Sequence, residues 1–339
     1  MRNGKTNQVV VVTGASAGLG RAIAHAFARE GARIGLVARG RAGLEGAKRE
    51  VQQLGAEAIV LPVDVADAKA VDAAAAAVEE QLGPIDVWVN NAMCSVFSPV
   101  KEMQPDEYKR VTEVTYLGFV YGSLAALKRM LPRDHGVIVQ VGSALAYRGI
   151  PLQSAYCASK HAIQGFCDSL RSELLYDKSK VRVVMVQMPA MNTPQFDWVK
   201  SRLPHKAQPV PPIYQPEVAA GAVVYAAHND RREVYVGGPT VEAIVGNKIA
   251  PAFADHYLAW TCVDAQQTSE PENPNRPNNL FEPVDDKVDH GTHGRFDSRS
   301  RTFSLQLWAD KNRNWLAAAA IVLLGAGVTA LMRREFAEE

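Results

Sequence analysis

The feature that most constrains the fold is a regular alternation of short apolar runs with longer Ala-rich stretches between residues 9 and 238. The runs are rich in β-branched residues and lack alternating polar positions, which is typical of strands buried on both faces. Ala-rich helical stretches between such strands fit the right-handed crossovers of a parallel sheet. The pattern therefore predicts one doubly wound α/β domain of about seven strands, at residues 9–12, 33–37, 58–61, 85–89, 136–141, 181–187 and 233–236.

The composition changes beyond residue 261. Residues 262–314 are polar and rich in Pro and Asn, and such a segment buries too little apolar surface to offset the entropy lost on ordering. Residues 315–332 carry no charged side chain, and as a helix they would be about 27 Å long, close to the hydrocarbon thickness of a thin bilayer. We expect the α/β domain in residues 1–261, an extended polar linker in 262–314 that could lie against the domain surface, a single transmembrane helix in 315–332 and a short tail in 333–339.

The charge balance gives no reason to expect a nucleic-acid partner, because 37 basic residues are offset by 36 acidic ones. The four cysteines have no metal-type spacing, so no metal site is expected. The N-terminal residues contain no apolar core of a signal peptide, so the α/β domain should lie in the cytoplasm. Together with the helix at 315–332, this predicts a membrane-anchored protein. The alternative is a soluble homo-oligomer that uses this helix as an interface.

A glycine-rich turn follows the first predicted strand and opens the first helix, where residues 13–20 read TGASAGLG. Glycines let the backbone turn sharply and approach a pyrophosphate, and the free N–H groups at a helix N-terminus favour negative charge. In this strand–turn–helix context the turn indicates a dinucleotide site, so the predicted sheet is of the Rossmann type.

The end of the second predicted strand indicates which dinucleotide binds. Sites that prefer NAD place an acidic residue there to hold the ribose 2′-hydroxyl, whereas this chain has Arg39, whose guanidinium suits a 2′-phosphate. NADP(H) is therefore the expected cofactor and NAD(H) the less favoured one, unless Arg39 is only a solvated loop residue. Asp64 and Val65 follow the third strand near the expected adenine, although Asp67 could simply cap the next helix.

Ser143, Tyr156 and Lys160 form the candidate catalytic set. Tyr156 and Lys160 are four residues apart on a predicted helix, so their side chains lie on one face. An ammonium near a phenol favours the phenolate and lowers the pKa of the tyrosine, which suits it to proton transfer at neutral pH. Ser143, at the end of the fifth predicted strand, could hydrogen-bond a substrate oxygen within reach of that phenol.

Residues from about 9 to 238 resemble the short-chain dehydrogenase/reductase family. The resemblance rests on TGASAGLG at 13–20, Asp64, NNA at 90–92, Ser143, YCASK at 156–160, and Pro189 followed by Thr193. It implies that Tyr156 is the general acid in reduction and the general base in oxidation, and that Lys160 also holds the nicotinamide ribose. The cofactor contacts that we expect are Gly14, Ser16, Gly18, Leu19, Gly20, Arg39, Asp64, Val65, Asn91, Ala92, Tyr156, Lys160, Pro189 and Thr193.

Three positions depart from the family pattern. Met93 and Ala190 stand where many members have glycine, and Thr115 stands where the family often has an asparagine that holds a water in the proton relay. A threonine hydroxyl can still hydrogen-bond, although its reach is shorter. Thr115 is therefore a further candidate catalytic residue, and the departure puts the proton relay in doubt rather than the hydride transfer.

We expect reversible interconversion of a carbonyl and a primary or secondary alcohol, in which reduction is favoured if the cofactor is NADPH. An anchored enzyme can draw an apolar substrate from the bilayer, and the substrate loop at 190–213 contains Met191, Phe196 and Trp198, which could line a pocket or only pack a lid. The alternative function is a non-catalytic NADP(H)-binding scaffold, in which Thr115 would mark the loss of turnover. The intact Ser143, Tyr156 and Lys160 set argues against that alternative.

Overall fold

The computed structural model of the chain describes residues 7–319. The strands in this range are Val9–Thr13 (β1), Arg33–Ala38 (β2), Ala58–Pro62 (β3), Val87–Asn90 (β4), Val96–Phe97 (β5), Val137–Val141 (β6), Arg182–Gln187 (β7), Lys200–Ser201 (β8), His205–Ala207 (β9), Ile213–Tyr214 (β10), Glu233–Tyr235 (β11), Gln267–Pro271 (β12) and Ser300–Arg301 (β13). The α-helices are Gly18–Arg29 (α1), Arg41–Gln53 (α2), Ala68–Leu82 (α3), Pro105–Thr112 (α4), Gly118–Met130 (α5), Ser154–Tyr176 (α6), Gln195–Trp198 (α7), Pro216–His228 (α8), Gly238–Ile249 (α9), Pro251–Ala265 (α10) and Leu305–Lys311 (α11).

Seven of the strands form one sheet in the order β3-β2-β1-β4-β6-β7-β11. Every neighbouring pair is parallel, and each predicted apolar run overlaps one of these strands, so the predicted Rossmann-type sheet is confirmed. The chain order reverses between β1 and β4. In such sheets ligands bind in the crevice outside the carboxyl ends of the strands at that reversal, which here is marked by Thr13 and Asn90.

Helices cover both faces of the sheet, as the continuous apolar runs require. Val10 and Val12 of β1 belong to the core beneath α1 and α8, whereas Val9 and Val11 belong to the core beneath α3 and α5. All four valines are fully buried, because successive side chains of a strand point to opposite faces. Burial of each contributes about 1.5–3 kcal/mol, so β1 gains stability only when it is covered on both sides.

Residues 262–314 are not an extended linker but lie against the α/β domain, as was considered for them, and they form regular structure that their composition did not predict. Helix α10 crosses the predicted boundary at residue 261, β12 pairs antiparallel with β9, and β13 pairs with β10. Leu280, Phe296 and Leu307 are 0%, 4% and 5% exposed and belong to three different hydrophobic clusters. A few apolar side chains at wide spacing therefore dock a segment whose average composition is polar.

The predicted transmembrane helix at 315–332 lies for the most part outside the described residues. At its start, Trp315 is 80% exposed and Leu316 is 42% exposed. Within residues 7–319, no helix combines the length and the apolar composition that crossing a bilayer requires. The tail predicted at 333–339 lies entirely outside the described range.

Candidate active site

The glycine turn between β1 and α1 forms one wall of the crevice. Gly14 and Gly18 have φ values of +68° and +56°, which residues with a Cβ rarely adopt. A Cβ on Gly20 would collide with the carbonyl oxygen of Gly14. These glycines keep the turn tight and place the N-terminus of α1 at the crevice. The Gly18 N–H donates to the Gly291 carbonyl, so it is the positive end of the helix dipole that suits a phosphate there.

Asn91 joins this turn to the end of β4. Its side-chain amide donates to the Thr13 carbonyl at 2.9 Å, and the backbone N–H groups of Asn91 and Ala92 donate to Thr13 Oγ1 at 2.9 and 3.1 Å. The preceding Asn90 is fully buried and donates to the Phe119 carbonyl at 3.1 Å, so its role is structural. Asn91 and Ala92 instead line the cavity described below.

Ser143, Tyr156 and Lys160 meet on the opposite side of the crevice. Ser143 follows β6, and Tyr156 and Lys160 lie in the first turns of α6. Lys160 Nζ donates to the Val141 carbonyl at 2.7 Å and lies 5.5 Å from the centre of the Tyr156 ring. The N–H of Ser143 donates to Gln187 Oε1 at 2.7 Å, which fixes the backbone that carries the hydroxyl. All three catalytic candidates line one cavity.

The ionisation of this set differs from the one expected from the spacing. Burial is the largest influence on Tyr156 and raises the pKa of its phenol, while the hydrogen bond with Ser143 acts in the opposite direction. Burial also lowers the pKa of Lys160 to about 7, because a low-dielectric site disfavours the ammonium. The expected lowering of the Tyr156 pKa by Lys160 is not found, and burial raises that pKa instead, so Tyr156 is held as a neutral phenol that can donate a proton.

Thr115 is not part of this set. It is fully buried in the π-helical stretch Glu113–Leu117. Its hydroxyl donates to the Cys94 carbonyl at 2.9 Å and accepts from the Cys94 N–H at 3.1 Å. Because its single proton is already donated to the backbone, Thr115 has none to offer a relay water, so this geometry gives no support to the relay role considered for it.

A cavity of about 420 Å³ runs from the glycine turn to the catalytic candidates. Asp64 and Val65 do not line it, since Asp64 pairs with Arg110 at 2.6 Å and Val65 is buried against Gly118. The glycine cradle and the donors at the switch point fit a dinucleotide. The predicted cofactor residues that do line the cavity are Gly14, Ser16, Gly18, Leu19, Gly20, Arg39, Asn91, Ala92, Tyr156, Lys160, Pro189 and Thr193.

Arg39 lies just beyond β2 and lines the cavity. Its guanidinium donates to the Phe281 carbonyl at 2.7 Å and also to the Asn279 carbonyl. Burial lowers the pKa of Arg39, and the charges of Asp64 and Asp285 oppose that change. Arg39 is therefore a held and partly buried side chain, not a solvated loop residue.

Residues 279–291, which we call the strap, run along the cavity from the β2–α2 turn to the glycine turn. In the middle of the strap, the Asp285 carbonyl accepts from the Gly43 N–H at 3.1 Å. At its C-terminal end, the Gly291 carbonyl accepts from the Gly18 N–H at 3.0 Å. Between them, Arg21 Nη2 donates to Asp289 Oδ2 at 3.0 Å. Three strap residues line the cavity, namely Asn279, Val284 and Asp285.

Sequence reasoning missed the strap entirely. The apolar pair Leu280-Phe281 within a polar run could have marked it, because Leu280 proves to be fully buried. Its carbonyl accepts from Arg110 Nε at 2.9 Å, a contact across 170 residues that no local pattern reveals. The strap thus adds residues to the site that the motifs do not contain.

The other end of the cavity is apolar. The side chains that line it come from the loop after β4, the loop before α6, the substrate loop and α10. They include Phe97, Ile150, Met191, Phe196, Trp198 and Leu258. Met191, Phe196 and Trp198, which were predicted either to line a pocket or to pack a lid, lie in this wall.

The fold and the cavity together define a class of protein, the nicotinamide-dependent oxidoreductases with a Rossmann-type sheet. A family model described as short chain dehydrogenase matches residues 8–202. The match covers more than half of the chain, so the chain belongs to the short-chain dehydrogenase family. It is accordingly an oxidoreductase that acts on CH–OH groups with a nicotinamide cofactor.

Known proteins similar to this chain span several reactions. The chain is 29% identical to an uncharacterized oxidoreductase, YxnA, of Bacillus subtilis, over 93% of this chain and 88% of that protein. It is 32% identical to a fatty acyl-CoA reductase of Acinetobacter baylyi, over 66% of this chain and 74% of that protein. A solved alcohol dehydrogenase of Thermococcus sibiricus, complexed with 5-hydroxy-NADP, is 29% identical with a TM-score of 0.58, covering 68% of this chain and 94% of its own. Some animal relatives align over only 51–58% of their own length.

Proposed function

We propose that the chain reduces the carbonyl group of an apolar substrate with NADPH, and that Tyr156 donates the proton. The proposal rests on one observation: Ser143, Tyr156 and Lys160 line the same cavity as the glycine turn. A bound nicotinamide would supply the hydride, and the protein supplies position and a proton. In this arrangement the Ser143 hydroxyl holds the carbonyl oxygen and the Tyr156 hydroxyl protonates it.

The state of Tyr156 supports its role as the proton donor in the reductive direction. Because burial raises the pKa of its phenol, Tyr156 carries its proton at neutral pH and suits donation in reduction. In the oxidative direction it would have to start as a phenolate, which the buried site disfavours. Lys160, with a pKa of about 7, can return a proton to Tyr156 after each turnover.

The substrate class follows from the apolar end of the cavity. Aromatic and aliphatic side chains of Phe97, Phe196 and Leu258 line it, and such a surface favours a hydrocarbon body beside the reacting carbonyl. The similarity to a fatty acyl-CoA reductase and to an alcohol dehydrogenase supports an apolar aldehyde or ketone.

NADP(H) is proposed over NAD(H) because Arg39 stands where the ribose 2′ position is expected. A guanidinium binds a phosphate with two parallel hydrogen bonds. The solved alcohol dehydrogenase similar to this chain carries an NADP derivative, which supports the same choice.

We also propose that residues 315–332 anchor the protein in a membrane, with the catalytic domain in the cytoplasm. The support is the sequence, in which these residues carry no charge and are flanked by Arg313 on one side and by Arg333 and Arg334 on the other. An apolar substrate cavity is consistent with a supply of substrate from a bilayer.

The reaction is tested by Tyr156→Phe, which removes only the proposed proton donor. Turnover should fall about 10²–10⁴-fold, whereas NADPH binding, followed by fluorescence titration, should be retained. The matched control is Tyr176→Phe on the same helix, where the side chain is 87% exposed and turnover should be unchanged. The assay follows NADPH consumption with medium- and long-chain aldehydes and ketones.

Two outcomes would contradict the proposal. Turnover of Tyr156→Phe at the wild-type rate would exclude the assigned proton donor. NADPH binding without turnover in the wild type, on every aldehyde and ketone and on the matching alcohols with NADP, would favour the non-catalytic scaffold.

A further inference from the structure

The carboxylate of Asp285 in the strap faces the cavity and has no role in the site described so far. The residue is only 9% exposed, and it lines the cavity beside Ser16 and Arg39. Within residues 7–319, no hydrogen bond reaches its carboxylate oxygens. It lines the cavity without a hydrogen-bond donor from the described residues, so its carboxylate is available to a ligand that enters the cavity.

The backbone of the strap fixes where this carboxylate lies. Gly43 N–H donates to the Asp285 carbonyl at 3.1 Å, and Ala42 N–H donates to the Asp286 carbonyl at 3.2 Å. A Cβ on Gly43 would come within 3.1 Å of Asp285 Oδ2, and one on Gly40 would collide with Oδ1. The two glycines therefore leave the space that the carboxylate fills at the start of α2.

That place is the adenosine end of the dinucleotide crevice. A carboxylate close to the end of the second strand accepts a hydrogen bond from the ribose 2′-hydroxyl in sites that take NAD. Here the end of β2 carries Arg39 instead, and a carboxylate reaches the same neighbourhood from residue 285. The charge of Asp285 is near enough to act on the guanidinium of Arg39.

We propose that Asp285 is a cofactor-specificity residue, whose carboxylate accepts a hydrogen bond from the ribose 2′-hydroxyl of NAD(H) and repels the 2′-phosphate of NADP(H). The inference rests on the proposed function, in which the same crevice binds the dinucleotide. Arg39 and Asp285 then act in opposite directions on one position of the ligand. Asp285 reduces the preference for NADP(H) that Arg39 creates and keeps NAD(H) acceptable.

The test uses ligands that report on the adenosine end without any turnover. Adenosine 2′,5′-bisphosphate and adenosine 5′-monophosphate differ only at the 2′ position, and their dissociation constants can be measured by calorimetry on the full chain. Asp285→Asn keeps the shape and removes the charge, so it should tighten the bisphosphate about tenfold or more. Binding of the monophosphate, whose 2′-hydroxyl loses a charged acceptor, should weaken by about threefold to tenfold.

Glu282→Gln is the matched control, because it removes one negative charge from the same strap at an exposed position. It should leave the affinity for both ligands unchanged. Arg39→Asp should weaken the bisphosphate strongly, and this variant tests the proposed NADP(H) preference separately from the role of Asp285.

The role of Asp285 would be overturned if Asp285→Asn left the ratio of the two dissociation constants at its wild-type value. It would also be overturned if Glu282→Gln shifted that ratio equally. The shift would then come from the overall negative charge of the strap and not from a carboxylate in contact with the ligand. If the wild type bound neither ligand, the proposed adenosine site, and with it the proposed function, would be wrong.

Discussion

The burial of Lys160 makes the stability of the protein depend on pH. Its pKa falls from 10.5 to about 7 because the side chain is buried, so between these two pH values the unfolded chain binds more protons than the folded one. The free energy of unfolding therefore falls as the pH drops from 10.5 to 7, by about 1.4 kcal/mol per unit at most. The penalty is absent above pH 10.5 and fully present below pH 7.

Lys160→Met should remove this penalty. In the absence of cofactor, the variant should be more stable than the wild type at pH 7, by on the order of several kcal/mol, and the difference should shrink towards pH 10. Urea unfolding at pH 7, 8.5 and 10 measures it. Lys101→Met, at an exposed position, should show no such pH-dependent difference. Parallel pH responses of Lys160→Met and the wild type would show that Lys160 is not destabilising.

The catalytic candidates could be predicted from the sequence because their geometry is mostly local. Tyr156 and Lys160 are one helical turn apart, and Ser143 lies two residues after β6, where Gln187 of the neighbouring strand holds its N–H. Thr115 and Asp64 could not be interpreted in the same way. Their hydrogen-bond partners, the backbone of Cys94 and the guanidinium of Arg110, come from other elements, and spacing does not show such pairings.

At the scale of elements, the sheet was predictable and the strap was not. Strands buried on both faces can be recognised in the sequence as continuous apolar runs, and their order in the sheet follows from short right-handed connections. The strap has no such period, because its backbone binds to turns and helix ends and not to a neighbouring strand. Only long-range contacts, such as that of Leu280 with Arg110, decide where it lies.

The docking of the strap should be measurable as stability. Leu280 is fully buried, so Leu280→Ala should lower the free energy of unfolding by about 2–5 kcal/mol if the strap unfolds with the domain. The same substitution at Leu305, which is 70% exposed, should change it by less than about 0.5 kcal/mol. Thermal and urea unfolding of both variants make the comparison. An unaltered Leu280→Ala protein would mean that residues 279–291 behave as the linker expected from composition.

At the scale of the whole molecule, the described part contains the sheet, the cavity and the strap, and α11 adds Leu307 to the core. Removal of residues 315–339 leaves all of these in place. The truncated protein should therefore turn over NADPH at the full-length rate and remain in the supernatant after centrifugation. The full-length protein should stay with the membrane fraction in high-pH carbonate.

Two results would contradict the proposed membrane anchor. Release of the full-length protein by carbonate would show that residues 315–332 do not hold it in a bilayer. An inactive or insoluble truncated protein would indicate that this segment packs against the domain or against a second copy, as in the alternative of a soluble oligomer.

The strap also affects how the protein is made. The glycine turn leaves the ribosome early. The Gly291 carbonyl that accepts from its Gly18 N–H, and the carboxylate of Asp285, are synthesised about 270 residues later, and translation proceeds at about 5–20 residues per second. A nascent chain can therefore complete the seven-stranded sheet while the wall of the cavity that the strap provides is still missing. Under the proposed role of Asp285, cofactor discrimination is complete only once the strap has been synthesised, and a ribosome stalled before residue 279 would display a dinucleotide crevice that is open along one side.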